Sequence, residues 1–568
     1  MLAGVEALVE NHPIPEGNLE MIRTLLLLVI IVSACQAPDG PAPAEADGDR
    51  VEGIDANSLL EHMRTLASDE FEGRAPGSAG EEKTIAYLTE QFSALGLVPG
   101  NPDGTWVQKV PLVGITPSEG STLTVEGRGQ SRVFEPGADY VASTTRVVDQ
   151  VDLDGELVFV GYGAIAPEYD WDDFKGVDVR GKVLLMLVND PPHEEIFGGD
   201  AMTYYGRWTY KFEIASELGA AGAFVIHETG PAGYPWEVIG SSPFSESFNL
   251  VSPDRNMGRV SVEGWMQRST VEAIFEMAGL DFEEQKQAAS ERTFEPISLG
   301  ISARTQFGNT LRTIDSNNIV AKLEGSEAPD EVVMYVAHWD HLGVDPSRSG
   351  DQIFNGAADN ATGTAGLLAL ANAFSLNDER PRRSILWLAV TAEEQGLLGS
   401  RYYGENPLYP AAKTVAVINM DVLNTWGRTR DLTIVGMGQS ELDQVATEVA
   451  NQQGRVLNPD PEPEKGFYYR SDHFSFAKVG IPAFYADPGV DYIGKPEGYG
   501  IEKREQYTAE DYHAPSDEVK DDWDLSGAVE DLSFFYRMGR ILATSATWPA
   551  WSETSEFRAI REAQMGAR

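Results

Sequence analysis

Histidines and carboxylates recur just after apolar runs in the C-terminal half of this 568-residue chain. In open α/β sheets the working residues lie beyond the carboxyl ends of the strands, so we expect side chains at these positions to meet. Two histidines with three carboxylates form a mixed nitrogen and oxygen donor set, which suits zinc, cobalt or manganese better than calcium. The residues that this pattern indicates are His338, Asp340, Asp359, Glu393, Glu394, Asp421 and His513.

The charge of this donor set favours two metal ions over one. Three carboxylates carry about −3 and a bridging hydroxide about −1, which two divalent cations balance. Glu393 and Glu394 are neighbours in an extended segment and face different directions, so one can bind metal while the other moves a proton. Asp340 lies close after His338 in the chain and can accept a hydrogen bond from the other ring nitrogen of that histidine. Taken singly, each motif has an ordinary explanation, since paired glutamates usually lie on a solvated face and Asp-Asn before a helix is more often an N-cap.

The elements around these residues alternate between strands and helices. Residues 332–337 and 385–390 are apolar at nearly every position, which is typical of strands covered by helices on both faces. This pattern predicts an α/β sandwich. Apolar residues at helical spacing predict two further helices at 57–67 and 81–95, and Gly96 ends the second.

The middle of the chain has a different character. From about 111 to 306, short β-rich runs are separated by glycine, proline and aspartate turns, with one helix-like stretch near 210–218. We therefore expect a separate β-rich domain over residues 111–310.

Composition narrows the classes of function. With 43 Lys and Arg against 89 Asp and Glu, the formal net charge is −46, which opposes the approach of a nucleic acid. One cysteine in the chain excludes a disulfide framework and a cysteine-ligated zinc site. The hydrophobic content of 42% is that of a globular protein.

The single cysteine, Cys35, follows an apolar run at 25–32 that is suited to the core of a signal peptide. The sequence VSAC resembles a bacterial lipobox, which implies cleavage before Cys35 and a lipid on its sulfur; Met21 fits the start of such a segment. A buried thiol in a short helix is the alternative. Residues 36–50 are rich in proline, alanine and acidic residues and predict a flexible tether. We expect a signal segment over 1–35 and a location in a bacterial cell envelope, lipid-anchored at the outer membrane facing the periplasm, or export.

Six motifs carry a family resemblance. In chain order they are AHWDH, GAADNATGTAG, TAEEQGLLGS, INMD, RSDHFSFAKVGIPAF and YHAPSDE. They resemble the motifs of the di-zinc aminopeptidases of metallopeptidase family twenty-eight, in clan MH. The resemblance covers residues 51–110 and 311–550 and implies a three-layer α/β/α zinc-peptidase domain with a mixed central sheet. Residues 111–310 resemble the protease-associated (PA) domain that is often inserted in these enzymes.

The resemblance implies a role for each metal-binding residue. His338 and Asp421 bind the first of two zinc ions in this assignment. Glu394 and His513 bind the second ion, and Asp359 bridges the pair.

The implied reaction is zinc-dependent removal of N-terminal residues from peptides through a bridging hydroxide. By the same resemblance, Glu393 is the general base and acid, and Tyr512 corresponds to a tyrosine that hydrogen-bonds the oxyanion in some members. Glu393 takes a proton from the water and returns it to the leaving amine. The free amine of the substrate is expected near Glu393 and Asp421.

The recognition of the substrate end leaves alternatives. Carboxypeptidase relatives hold a substrate carboxylate with arginines, so a carboxypeptidase or dipeptidase on the same scaffold is the enzymatic alternative. Arg470 and Asp472 are the candidate substrate contacts: Arg470 can hold a carboxylate or a peptide carbonyl, and a surface ion pair with Asp472 explains it equally well. A binding module that has lost the metals is the alternative from another class, and the complete donor set argues against it.

Overall fold

The structure is a computed structural model that describes residues 51–192, 196–197, 199, 201–232, 234–241 and 243–566. The described residues belong to one compact unit. The predicted signal segment, Cys35 and the tether lie outside them, so the lipid anchor and the envelope location stay predictions. Within the described ranges, no helix combines the length and apolar character needed to cross a membrane.

Strands and helices follow one another along most of the chain. The strands are β1 (Val98–Pro99), β2 (Val107–Pro117), β3 (Leu123–Gly127), β4 (Gln130–Phe134), β5 (Tyr140–Ser143), β6 (Gln150–Phe159), β7 (Ile165–Ala166), β8 (Trp171–Asp172), β9 (Val183–Leu187), β10 (Gly222–His227), β11 (Ser247–Leu250), β12 (Val262–Gln267), β13 (Ile297–Leu323), β14 (Ala328–His338), β15 (Gly343–Val344), β16 (Ile353–Phe354), β17 (Arg383–Val390), β18 (Thr414–Asn419), β19 (Asp431–Val435), β20 (Val456–Pro459) and β21 (Ala483–Pro488). The helices are α1 (Ala56–Leu66), α2 (Ala79–Ala94), α3 (Trp208–Glu217), α4 (Thr229–Ala232), α5 (Glu237–Gly240), α6 (Arg268–Ala278), α7 (Phe282–Ala289), α8 (Thr362–Ser375), α9 (Leu398–Glu405), α10 (Leu442–Gln453), α11 (His473–Lys478), α12 (Tyr499–Glu510), α13 (Ser526–Thr544) and α14 (Arg558–Gly566).

A mixed sheet, the central sheet, forms the middle of the C-terminal half. Its strands lie in the order β20, β19, β21, β18, β14, β17 and β13. The neighbours β17, β14, β18 and β21 are parallel. Their carboxyl ends therefore meet at one edge of the sheet.

Alternate residues of β14 pack on opposite faces of the central sheet. Val333 and Tyr335 belong to an apolar cluster with residues of α1, α8 and α13. Val332 and Met334 belong to a second cluster with residues of α9 and α11. Helices cover both faces, which confirms the predicted three-layer α/β/α arrangement.

One long strand connects the central sheet to a second sheet, the insert sheet. β13 spans 27 residues; its last residues pair with β17, and its first residues pair with β3 and β6. From β6 the insert sheet continues through β9, β10 and β12, which are parallel to one another. The predicted domain boundaries at 110/111 and 310/311 fall inside β2 and β13. The PA-type character of the insert stays a prediction.

The sequence located the helices before the insert but missed helices inside it. The predicted helices at 57–67 and 81–95 are α1 and α2, and the stretch near 210–218 is α3. The expectation of one helix in the insert was wrong, because α6 also packs Val271 and Ile274 into the core of the insert sheet. Parallel strands need a crossover connection, so a sheet of parallel strands required more helices than the pattern suggested.

Candidate functional site

Three strands of the central sheet deliver members of the predicted donor set to one edge. His338 is the last residue of β14, Glu393 and Glu394 follow β17, and Asp421 follows β18. Because these strands are parallel, the side chains that follow them converge. The Thr364 hydroxyl of α8 donates a 2.8 Å hydrogen bond to the carbonyl oxygen of His338, which fixes the end of β14.

Asp359 reaches the same edge from a tight turn before α8. Gly356 in this turn has a φ of 54°, and a Cβ there would lie 2.4 Å from the carbonyl oxygen of Asp359, so the turn requires glycine. Asp517 holds the turn from another segment. Its carboxylate accepts the backbone N–H groups of Ala358 and Asp359 at 2.9 and 3.1 Å.

The two carboxylate oxygens of Asp359 face two different histidines. Oδ1 lies 3.2 Å from Nε2 of His338, and Oδ2 lies 3.4 Å from Nε2 of His513. Asp421 Oδ1 lies 3.3 Å from the same nitrogen of His338, and Glu394 Oε2 lies 2.9 Å from Nε2 of His513. The five side chains thus form two pairs of a histidine with a carboxylate, and Asp359 lies between the pairs.

Negative charge dominates this cluster. Burial alone lowers the pKa of His338, but the surrounding carboxylates, Glu393 first, outweigh burial and raise that pKa well above its usual value. Contacts with Asp359 and Glu394 likewise outweigh burial and raise the pKa of His513 to about 10. Acids that hold protons on neighbouring histidines are short of counter-cations, which bound divalent ions would supply.

The chemistry of the donors fits zinc. One donor atom each from His338, Asp359 and Glu394 lies within 4.8 Å of the other two. Imidazole nitrogen and carboxylate oxygen are ordinary zinc ligands in proteins.

Asp340 makes a different contact from the one predicted for it. Nδ1 of His338 lies 3.1 Å from the backbone carbonyl oxygen of Asp340, but 3.9 Å from its carboxylate oxygen Oδ1. The prediction of a carboxylate contact was therefore wrong, because the peptide carbonyl is the nearer acceptor. Oδ1 accepts the backbone N–H of Glu393 at 3.1 Å instead. Burial raises the pKa of Asp340 to about 8.

The comparisons with known proteins identify the domain that contains this cluster. Residues 318–536 match the family model described as Peptidase family M28. We refer to this matched segment as the M28 domain. A probable glutamate carboxypeptidase AMP1 of Arabidopsis thaliana is 25% identical over 387 residues, which cover 61% of this chain and 49% of that protein.

Two further comparisons cover different shares of the chain. A probable zinc metalloprotease of Pyrenophora tritici-repentis is 26% identical over 226 residues, which cover 34% of this chain and 45% of that protein. The solved structure of an aminopeptidase from Aneurinibacillus sp. strain AM-1 aligns with a TM-score of 0.47 and 18% identity, over 88% of this chain and 96% of that chain. The chain thus covers about half the length of the curated relatives, at 49% and 45%.

The M28 domain contains two contacts to the donor set that the sequence analysis did not assign. His341 is fully buried, and its Nδ1 lies 2.6 Å from Oε1 of Glu394. Asp517 holds the turn that carries Asp359, as described above. Both residues stand inside the motifs AHWDH and YHAPSDE, so their spacing from His338 and His513 was the available signal.

Tyr512 lies directly against His513. Their rings stack with centroids 3.8 Å apart, and Tyr512 is 46% exposed. His513 has a φ of 56°, a left-handed conformation that costs a residue other than glycine about 1–2 kcal/mol. Such local strain is typical of functional sites in which the surrounding structure holds a side chain in place.

Arg470 and Asp472 have different surroundings. Asp472 is buried, whereas Arg470 is exposed and its guanidinium lies 5.3 Å from the centre of the Phe467 ring. No ion pair joins Arg470 to Asp472 in the described part of the chain. Arg470 instead lines a pocket of about 150 Å³ together with Arg207 of the insert.

Proposed function

We propose that this protein is a zinc-dependent exopeptidase that removes N-terminal residues from peptides. The observation that carries the proposal is the position of Asp359 between the pair His338 and Asp421 and the pair His513 and Glu394. A carboxylate with one oxygen toward each pair has the geometry of a bridging ligand between two metal ions.

The donor set divides into two zinc sites. His338 and Asp421 would hold one ion, His513 and Glu394 would hold the other, and Asp359 would be shared. The surrounding contacts support this division. Ser471 donates a 2.7 Å hydrogen bond to Asp421 Oδ2, and His341 contacts Glu394 Oε1, so an oxygen of each terminal carboxylate has a partner outside the cluster.

Glu393 is the proton carrier of the proposed reaction. Zinc held by this donor set would supply a Lewis acid for the peptide carbonyl and for the attacking water. Burial and the neighbouring acids Asp421 and Glu394 outweigh His338 and raise the pKa of Glu393 well above its usual value. A carboxylate that holds a proton readily can take it from the water and pass it to the leaving amine. The backbone N–H of Glu393 is held by Asp340 Oδ1, which orients the residue.

The free amine of the substrate is the expected recognition element for an aminopeptidase. In this proposal, Glu393 and the partly exposed Asp421 receive the amine. Tyr512 is stacked on His513 and partly exposed, and in this proposal its hydroxyl hydrogen-bonds the oxyanion that develops on the carbonyl.

A carboxypeptidase or dipeptidase is the second candidate, and the pocket beside Arg470 favours it. Arg207 and Arg470 line this pocket together, and burial first, then the charge of Arg470, lowers the pKa of Arg207 to about 10. The buried Nε of Arg207 has no hydrogen-bond partner among the described residues. Two guanidiniums in one pocket suit a substrate carboxylate.

The deciding experiment uses one peptide in three forms: with both ends free, with an acetylated amine, and with an amidated carboxylate. An aminopeptidase cleaves the free and the amidated peptide only, whereas a carboxypeptidase cleaves the free and the acetylated peptide only; a dipeptidase requires both free ends. Each activity should vanish on chelation and return with zinc. If none of the peptides is cleaved by zinc-loaded protein, the proposed function is wrong.

A further inference from the structure

Arg74 is a buried cation from the N-terminal segment that lies outside the M28 match. Its side chain is 1% exposed, and its guanidinium donates four hydrogen bonds to backbone carbonyl oxygens. Nε binds Trp339 at 2.8 Å, Nη1 binds Leu66 at 2.6 Å and Asn355 at 2.7 Å, and Nη2 binds Gly356 at 2.8 Å. Among the described residues, no carboxylate lies within ion-pair distance of this guanidinium.

Three of the four acceptors of Arg74 belong to the two loops that present metal ligands, and the fourth, Leu66, is the last residue of α1. Trp339 directly follows His338, and Gly356 opens the tight turn that ends at Asp359. One rigid planar fork therefore ties the end of β14 to that turn. Asp517 binds the N–H groups of the turn while Arg74 binds its carbonyls, so a cation and an anion hold the same turn through opposite backbone groups.

The local backbone is shaped for this placement. Arg74 itself has a φ of 50°, and Gly73 before it has a φ of 61°. A Cβ at Gly73 would lie 2.5 Å from the carbonyl oxygen of Phe354 and 2.6 Å from that of Gly343. A side chain at residue 73 would therefore push the segment that carries Arg74 away from β15 and β16. The close approach of Arg74 thus depends on a glycine at this position.

The charge of Arg74 matches the excess of acid nearby. Burial lowers its pKa to about 10, against the opposing effect of Asp517, Asp340, Asp359 and Glu394, so it remains a cation at neutral pH. The guanidinium is therefore a permanent positive charge near the acidic cluster. Its N–H groups donate to backbone carbonyls and not to the carboxylates of the cluster.

We propose that Arg74 is a positioning residue of the zinc site, which fixes the distance between the loops of His338 and Asp359 and so sets the affinity for the metal. This inference rests on the proposed zinc site, but not on which peptide end is recognised. A residue that only stabilises the fold would leave zinc affinity unchanged.

The test compares R74K and R74M with R561K as the matched control. Arg561 is also buried and donates to two backbone carbonyls, those of Ala411 and Thr414 at 2.7 and 2.8 Å, but at the start of β18, the opposite end of that strand from the site. The full-length protein is titrated with zinc against a chelator of known affinity, and its thermal unfolding is followed with and without zinc. kcat and KM are then measured at saturating zinc.

We expect R74K to weaken zinc binding about 10-fold and R74M about 100-fold, the range for residues that support metal ligands, while R561K binds zinc as the wild type does. R74K keeps the charge but not the fork, so its partial loss separates geometry from charge. At saturating zinc, kcat should fall more than KM rises. Equal thermal destabilisation of R74K and R561K with unchanged zinc affinity in both would overturn the proposal.

A milder variant keeps the test valid if neither Arg74 variant folds. Asp69 is exposed and accepts a 2.9 Å hydrogen bond from the side chain of Asn355. This bond also connects the turn before α8 to the segment that carries Arg74. D69A should weaken zinc binding by about twofold to fivefold, the effect of one lost hydrogen bond. Wild-type zinc affinity in D69A would overturn the proposal in that case. Because the readout is zinc binding, an inactive wild type would refute the proposed function without touching this inference.

Discussion

The insert sheet and the central sheet both place acids just beyond parallel strands, but the surroundings of those acids differ. In the insert, Glu228 follows β10, where Arg268 and Lys286 lie 2.8 and 2.6 Å from its carboxylate oxygens. In the M28 domain, Glu394 follows β17 and its partners are His341 and His513. Cations neutralise the acid of the insert, whereas the acids of the M28 domain face histidines and one another.

An acid at the end of a strand therefore does not by itself mark a functional site. A buried carboxylate without a partner costs several kcal/mol, so most proteins supply a cation beside it. The buried Arg74 directs its donors to carbonyls instead of to the acids. The surplus charge of the M28 cluster is therefore what distinguishes it from the insert, and bound metal ions would balance it.

The strongest test of the contrast is E393Q. Glutamine keeps the size of the side chain but cannot carry the proton, so kcat should fall by about 10²–10⁴-fold. Zinc content, measured by elemental analysis, should match that of the wild type, because Glu393 is not one of the proposed ligands. An unchanged kcat would remove Glu393 from the mechanism. E228Q, which changes the corresponding acid of the insert, is the control and should keep wild-type kcat.

A second test removes one histidine from the proposed metal pair. H513A should lower the zinc content from two ions toward one per chain, since Glu394 and Asp359 lose the histidine that faces both of them. Elemental analysis after dialysis against limiting zinc gives the ratio. H227A in the insert loses a contact with the carbonyl of Tyr234 and ring contacts with Tyr234, Trp236 and Trp265, none of which belongs to the donor set, so it should keep both ions. Two ions in H513A would contradict the assignment.

The smallest expected effect concerns the neutralised acid of the insert. E228Q removes one partner from a partly exposed group of ion pairs, so it should lower the free energy of unfolding by about 1–2 kcal/mol. Urea unfolding of the apo and zinc-loaded protein measures this change, and zinc content should stay the same. A loss of zinc in E228Q would show that Glu228 of the insert influences the metal site. The distinction between a neutralised acid in the insert and a metal-binding cluster in the M28 domain would then be wrong.

The strand ends of the M28 domain were predictable because a strand buried on both faces is apolar at nearly every position. His338, Glu393, Glu394 and Asp421 stand directly after such runs, and the parallel order of β14, β17 and β18 brings them together. The α/β fold with helices on both faces followed from the same pattern. The helix α6 of the insert was missed, although its buried residues Val271, Ile274 and Phe275 stand at helical spacing and it has 11 residues, as α1 does.

The partner of the second ring nitrogen of His338 was not predictable. Asp340 was the obvious acceptor from its spacing, but a backbone carbonyl is nearer. The choice between a carboxylate and a carbonyl depends on the direction of the chain after β14, which a residue pattern does not contain.

The sequence was sufficient to predict the chemistry of the donor set, the alternation of strands and helices in the M28 domain, and an acidic surplus that opposes the approach of a nucleic acid. Tertiary structure alone decided which groups hold those donors in place. Arg74 binds the carbonyl of Trp339 across 265 positions of sequence, and Asp517 binds the N–H of Asp359 across 158. Nearly every residue has the same backbone N–H and carbonyl groups, so a sequence pattern does not show which of them a side chain will bind. The folded chain decides this by bringing distant segments together.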